Sequence, residues 1–227
     1  MMHNPHVSSP RFGDRREAGR ALASKLSKYA RRRDVIVLAL PRGGVPVAYE
    51  VARALEAPLD VFLVRKLGIP GHEELAMGAV ATGGVRVLNV PLVRSLGIPE
   101  SVVESITSKE LQELERRERL YRSRRPPVDA HGKTVILVDD GLATGATMVA
   151  AIQALRNLAP KRIVAAVPVA ARDTCEQLGS VADEVVCAVT PEPFHAVGLW
   201  YEDFTPTSDD EVRELLEAAS AQPASGT

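Results

Sequence analysis

Asp139 and Asp140 stand side by side after four apolar residues, Val135-Ile136-Leu137-Val138, and before Gly141-Leu142-Ala143-Thr144-Gly145-Ala146-Thr147-Met148. The small and hydroxyl residues of the second part suit an anion. Set at a helix N-terminus, they would aim several backbone N–H groups at one point, a ready site for a phosphate. Gly145 tolerates positive φ and lets an anion come close to the chain, while Thr144 and Thr147 add hydroxyl donors. The two acids cannot hold that phosphate. They must face something else: vicinal hydroxyls, a metal, or both.

A second group with chemical potential is Pro41-Arg42-Gly43-Gly44. Arg42 offers a guanidinium fork beside glycines whose backbone can approach a ligand, which suits a multiply charged anion, although a tight turn alone would also use the glycines. Arg65, Lys66, Glu73 and Glu74 border the turn-rich run Leu67 to Leu75, and there they are candidates for loop chemistry or plain surface charge. Other phosphate loops do not fit: neither G-x-x-x-x-G-K-[ST] nor a G-x-G-x-x-G after a strand occurs.

The elements that must position these residues alternate. Asp14 with Glu17 opens a helix whose apolar face is Ala18, Leu22, Leu26 and Tyr29, with Arg31-Arg32-Arg33 in its last turn. Buried strands are expected at Val35 to Leu40, Leu59 to Val64, Val135 to Val138, Ile163 to Val169 and Glu184 to Val189, each an apolar run of the kind a parallel sheet covers on both faces. Helices follow through Val47 to Leu55, Met148 to Leu158 and Arg172 to Gly179. Leu67 to Leu75 reads as a mobile loop, and Met77 to Thr82 with Val85 to Asn89 as a hairpin about Gly83-Gly84. Pro99 to Arg125 is a polar helical stretch ending in Arg116, Arg117, Arg119, Arg122, Arg124 and Arg125; interleaved acids suggest paired, solvated charge. Ser208 with Glu211 caps a last helix. Before it cluster Phe194, Trp200, Tyr201 and Phe204, able to stack on a planar base or to plug the sheet end.

Val135 to Met148 resembles the phosphoribosyl-diphosphate (PRPP) motif of type I phosphoribosyltransferases: four apolar residues, two acids and a T-G-x-T loop. Ala143 to Met148 is most similar to the adenine-type loop, whereas Gly141 departs from the bulky aliphatic usual at its position. Ala39 to Pro46 resembles the S-R-G-G-x-x-P pyrophosphate loop of xanthine-guanine enzymes. The likeness covers about Val35 to Phe204.

It implies an α/β fold of the type I phosphoribosyltransferase kind, a mostly parallel sheet flanked by helices with a small hood. Residues 11–207 would be that domain, with hood elements at about 190–205 and a helical insertion at about 99–125. A C-terminal helix would span 208–220, with tails at 1–10 and 221–227. The implied reaction moves ribose 5-phosphate from PRPP to a nitrogen acceptor and releases pyrophosphate. Asp139 and Asp140 would meet the ribose hydroxyls and, through water and PRPP, Mg²⁺. Ala143, Thr144, Gly145, Ala146 and Thr147 would hold the 5′-phosphate, and Arg42, Gly43 and Gly44 the pyrophosphate. Arg65, Lys66, Glu73 and Glu74 would be the catalytic candidates of a flexible loop, and Phe194, Val197, Trp200 and Tyr201 the acceptor-binding candidates. Relatives acting on hypoxanthine and guanine usually carry aspartate where Ala143 stands. A PRPP-sensing regulator with little turnover is the alternative, supported by the Arg-rich end of the 99–125 stretch.

The 227 residues, 45% hydrophobic and 25% charged, suffice for one α/β domain with a real core. A net charge of −1 provides no global field for nucleic acid or membrane, so any anion site must be local. Without a spanning apolar run or signal-peptide pattern, a cytoplasmic location is expected. A homodimer remains open. Cys175 and Cys187 lack metal-ligand spacing and read as buried, reduced side chains, with a disulfide the lesser alternative.

Overall fold

The strands that read as unbroken apolar runs lie together in one sheet of the computed structural model, which describes residues 11–122, 126 and 129–221 and leaves aside the side chains of Glu73 and Glu74. The expected tail at 1–10, all of the expected tail at 221–227 but Ala221, and Arg124 and Arg125 lie outside the described residues. In chain order the elements are α1 (Arg15–Lys25), β1 (Val35–Ala39), α2 (Gly44–Leu55), β2 (Leu59–Val61), β3 (Val64–Ile69), β4 (His72–Ala81) and β5 (Val85–Leu88). Then come α3 (Val90–Ser95), α4 (Glu100–Arg122), β6 (Thr134–Val138), α5 (Ala146–Arg156), β7 (Arg162–Val169), α6 (Arg172–Leu178), β8 (Glu184–Val189) and α7 (Asp209–Ser220). Short 3₁₀ turns occupy Ser27–Tyr29 and Val197–Trp200.

The sheet order is β2-β1-β6-β7-β8, parallel throughout. Alternate side chains of each strand point to opposite faces, and both faces are covered. Val35, Val37, Ala39, Ile136 and Val138 pack into the core built with α1, α2 and α7. Ile36, Leu38, Val135 and Leu137 pack on the other side against Met148, Ile152 and Leu155 of α5. Double coverage explains why β1 and β6 contain no polar residue after Thr134, and why truncating Leu137 to alanine should destabilise by about 2–5 kcal/mol.

From β1 the chain moves outward to β2; from β6 it moves the other way, to β7 and β8. The order therefore reverses between β1 and β6. Open α/β sheets hold ligands in the crevice at the carboxyl ends of such a pair.

Four sequence expectations need correction. Leu59 to Val64 is not one strand: β2 ends at Val61, and Val64 opens β3 in a second, three-stranded sheet with β4 and β5. Leu67 to Leu75 is not a loop: β3 and β4 pair antiparallel, with Ile69 opposite His72 and a turn at Pro70-Gly71. Leu67 and Ile69 are buried, so the strand alternation was present beneath the turn-forming residues. Arg31 to Arg33 lie beyond α1, in the turn before β1, because the helix ends at Lys25 and its last apolar residues continue into the 3₁₀ turn. Cys175 and Cys187 are half-buried and joined in a disulfide. The chain runs from α6 directly into β8, which brings their Cα atoms to 6.8 Å.

The stretch after β5 forms α3 and one continuous α4. Helix α4 lies against β3 and α7, and Tyr121 closes that contact by donating to Asp209 Oδ1 at 2.6 Å. Burial first, and then the Asp209 carboxylate, push the Tyr121 hydroxyl up to about 12.

Candidate functional site

Two loops meet at the β1/β6 crevice. The β1–α2 loop contains Arg42 and Gly43, leads into Gly44 as the first residue of α2, and includes a cis Pro41–Arg42 peptide. Its glycines are there for want of room. A Cβ on Gly43 would lie 2.0 Å from Asp140 Oδ2, and one on Gly44 2.7 Å from the Val138 carbonyl oxygen. The two acids and the glycine pair are thus in direct apposition, a proximity the sequence could propose only through its two motifs. Arg42 is half exposed, and its guanidinium lies 3.9 Å from Asp209 at the start of α7.

Past Asp140 the chain stays tied to β7 and α6: Leu142 N–H donates to the Val169 carbonyl at 3.0 Å, and Thr174 Oγ1 of α6 donates to the Ala143 carbonyl at 2.6 Å. Gly145 caps α5 with φ +69°, and a Cβ there would press on Thr174 at 2.9 Å. The helix ladder begins with Val149 N–H to Gly145 O, so the N–H groups of Thr147 and Met148 belong to the open first turn, while that of Ala146 donates to Thr144 Oγ1 at 3.5 Å. Ala143, Thr144, Ala146 and Thr147 are exposed around buried Gly145. An anion arriving from solvent meets those N–H groups and the positive end of the α5 dipole.

The acid pair is deeply set. Burial, then the neighbouring Asp140 charge, raises the Asp139 carboxyl well above the usual carboxylate range. Burial also raises Asp140, opposed chiefly by Arg15, whose Nε donates to Asp140 Oδ2 at 2.8 Å. Asp139 Oδ1 accepts from the Asp140 N–H at 2.8 Å, which fixes its orientation. Among the described residues no group of three or more His, Cys, Asp or Glu side chains is placed to hold a metal. Asp139 and Asp140 offer adjacent carboxylate oxygens, donors of the kind that fits a hard cation.

Arg65 sits near the glycine loop. With Pro41, Thr147 and Arg117 it lines a crevice of about 30 Å³, and it pairs with Glu110 of α4 at 2.6 Å. Lys66, next in β3, is exposed on the opposite face of the strand. Glu73 and Glu74 fall on β4, whose ladder joins β3 to β5. The arginines of α4 are engaged: Arg116 and Arg117 with Glu113, Arg119 with Glu115, and Arg122 with Asp60 and Glu118. A cavity of about 410 Å³ lies elsewhere, lined by residues that include Asp60, Phe62, Arg122 and His131.

Of the acceptor candidates, Val197 reaches the acid loop. A Cβ on Gly141 would lie 2.4 Å from Val197 Cγ1, so the side chain missing at 141 is replaced by one from the segment after β8. Phe194 and Trp200 are half-buried in the same small apolar cluster. Tyr201 is buried between Phe12 and Phe204, and its hydroxyl donates to the Asp140 carbonyl at 2.5 Å. Burial and the nearby carboxylates raise that hydroxyl above its ordinary range.

Arg15 and Thr174 are the residues the sequence reading passed over. Arg15 had one local signal: it is the first residue of α1, where the helix dipole disfavours a cation unless a carboxylate compensates it.

The family model described as phosphoribosyl transferase domain matches residues 13–197. Two curated proteins from different strains of Mycobacterium tuberculosis, provisionally named phosphoribosyl transferases, are each 48% identical over 208 residues, covering 92% of this chain and 47% of theirs. The chain thus spans about half the length of the curated relatives it matches. The solved structure of TT1426 from Thermus thermophilus is 45% identical, with a TM-score of 0.82, covering 91% of this chain and 97% of that one.

Proposed function

Because the chain belongs to the phosphoribosyltransferase family, we propose that its β1/β6 crevice binds PRPP and transfers the ribose 5-phosphate unit to a nitrogen acceptor, a nucleobase or similar heterocycle, releasing pyrophosphate. The observation that carries this reading is the apposition of Gly43 with Asp140 beside the open N-terminus of α5. One molecule bearing a pyrophosphate, two vicinal hydroxyls and a terminal phosphate matches those three features in their spatial order.

In this reading the 5′-phosphate rests on the first turn of α5 and the hydroxyls of Thr144 and Thr147. The ribose hydroxyls donate to Asp139 and Asp140. Arg42 and the backbone of Gly43 and Gly44 face the pyrophosphate. Asp139 and Asp140 would be the residues to hold Mg²⁺, which would supply charge neutralisation for the leaving group. The reaction splits the bond between the anomeric carbon and the pyrophosphate oxygen and forms a carbon–nitrogen bond. Preorganised donors at the departing oxygens, with water excluded, are what the chain can contribute. Arg65, at the edge of the glycine loop, is the best placed of the four catalytic candidates. Phe194 and Val197, with Trp200 behind them, form the acceptor side.

The test is pyrophosphate release from PRPP with Mg²⁺ across a panel of nucleobases and related heterocycles. Release that depends on both acceptor and PRPP supports the proposal. Tight PRPP binding without turnover on any acceptor would favour the sensing role instead.

A further inference from the structure

Arg15 begins α1, but its guanidinium makes three contacts with two other parts of the chain. Nε donates to Asp140 Oδ2 at 2.8 Å, and Nη1 donates to the Thr205 carbonyl at 2.8 Å. Its Cζ lies 3.9 Å from the centre of the Phe204 ring. The side chain is only 11% exposed, so these contacts are held away from water. Asp140 has a second link to the same segment through the hydroxyl of Tyr201, whose ring lies 5.0 Å from that of Phe204. The second acid is therefore held from its side chain and from its backbone by residues 201–205 and by the one arginine that spans both.

We propose that Arg15 is a positioning residue that couples occupancy at Asp140 to the conformation of residues 200–205. This inference rests on the reading that the acid pair receives the ribose of PRPP. A hydroxyl donating to Asp140 Oδ2 must share that oxygen with Arg15 Nε or displace it. The guanidinium's remaining partners are Thr205 and Phe204, both in the acceptor-side segment, so a change at the ribose end is passed to the acceptor end. A planar fork with a stacking face can hold all three contacts at once, which a lysine ammonium cannot.

The chain's single tryptophan, Trp200, reports on that segment. Its indole Nε1 is buried without a hydrogen-bond partner among the described residues, so a small shift that brings a polar neighbour changes its emission. The experiment titrates PRPP with Mg²⁺, and separately pyrophosphate with Mg²⁺, into wild type, Arg15→Lys, Arg15→Ala and Phe204→Leu. It records Trp200 fluorescence beside calorimetric affinity. The expected result is a Trp200 change on PRPP binding in wild type that is lost in Arg15→Lys and Phe204→Leu. PRPP affinity in Arg15→Ala should fall at least about tenfold, and by clearly more than pyrophosphate affinity does. Should Arg15→Ala fail to fold, the other two variants carry the test. Wild type that binds PRPP without any Trp200 change, or Arg15→Lys that keeps the full change, overturns the coupling. Wild type that does not bind PRPP at all overturns the proposed function itself.

Discussion

Gly43 lies so close to Asp140 that a Cβ on the glycine would stand 2.0 Å from the carboxylate oxygen Oδ2, the atom that also receives Arg15. The β1–α2 loop and the acid pair are therefore in direct apposition. Gly43→Ala should displace the Asp140 carboxylate from Arg15, lowering stability by about 1–3 kcal/mol as overpacking does. It should weaken PRPP at least about tenfold. Thermal unfolding and calorimetric titration of the variant check both, and near-normal values in both would show that the loop yields freely.

Gly141 and Val197 offer a second steric test. Gly141→Val restores the bulky aliphatic usual in relatives, but its Cβ would meet Val197 Cγ1 at 2.4 Å and Val169 Cγ1 at 3.0 Å. The single variant should be destabilised by about 1–3 kcal/mol. Adding Val197→Ala, which removes the closer contact, should recover about half of that loss in a double-mutant cycle. Strict additivity would mean that the two sites do not compete for the same space.

Much of this site could be read from the chain itself. The apolar run Val135 to Val138, the acids after it and the spacing of Thr144, Gly145 and Thr147 are local features, and local geometry follows local sequence. Arg15 could not be read so. It meets Asp140 across 125 positions, through a contact that depends on where α1 docks. Thr174 likewise supports Ala143 only because α6 returns beside the loop. The β3–β4 hairpin was hidden differently. Gly68, Pro70 and Gly71 look like loop residues, and the ladder is irregular at Gly68, so the buried positions Leu67 and Ile69 carry the alternation almost alone.

Burial of Asp139 has a consequence for stability. Its folded-state pKa is raised above the ordinary 3.8, so ligand-free, metal-free folded protein holds a proton that the unfolded chain releases. The stability this gives is fully present below 3.8 and is lost as pH rises through the raised value. Asp139→Asn removes that loss and can still accept the Asp140 N–H. Its melting temperature should exceed that of wild type by a few degrees near neutral pH, and the gap should close below about pH 4. A wild type that is the more stable at neutral pH would contradict this assignment of the burial penalty.

Ala143 bears on the acceptor. In relatives acting on hypoxanthine and guanine an aspartate at this position can exchange a proton with the purine ring, a contribution of about 10²–10⁴-fold. Here a methyl group occupies an exposed place in a loop fixed by Thr174. Under the proposed function, 6-oxopurines should not be the preferred acceptors. A side-by-side assay in which hypoxanthine or guanine is used best would contradict this.

The most direct measurement is a calorimetric titration of PRPP with Mg²⁺ into wild type and into the double variant Asp139→Asn, Asp140→Asn. Each charge-assisted hydrogen bond lost is worth about 1.5–3 kcal/mol. The account predicts saturable binding to wild type and affinity at least about a hundredfold lower in the variant, with the fold retained by circular dichroism. Equal affinities, or no binding to wild type, would contradict it.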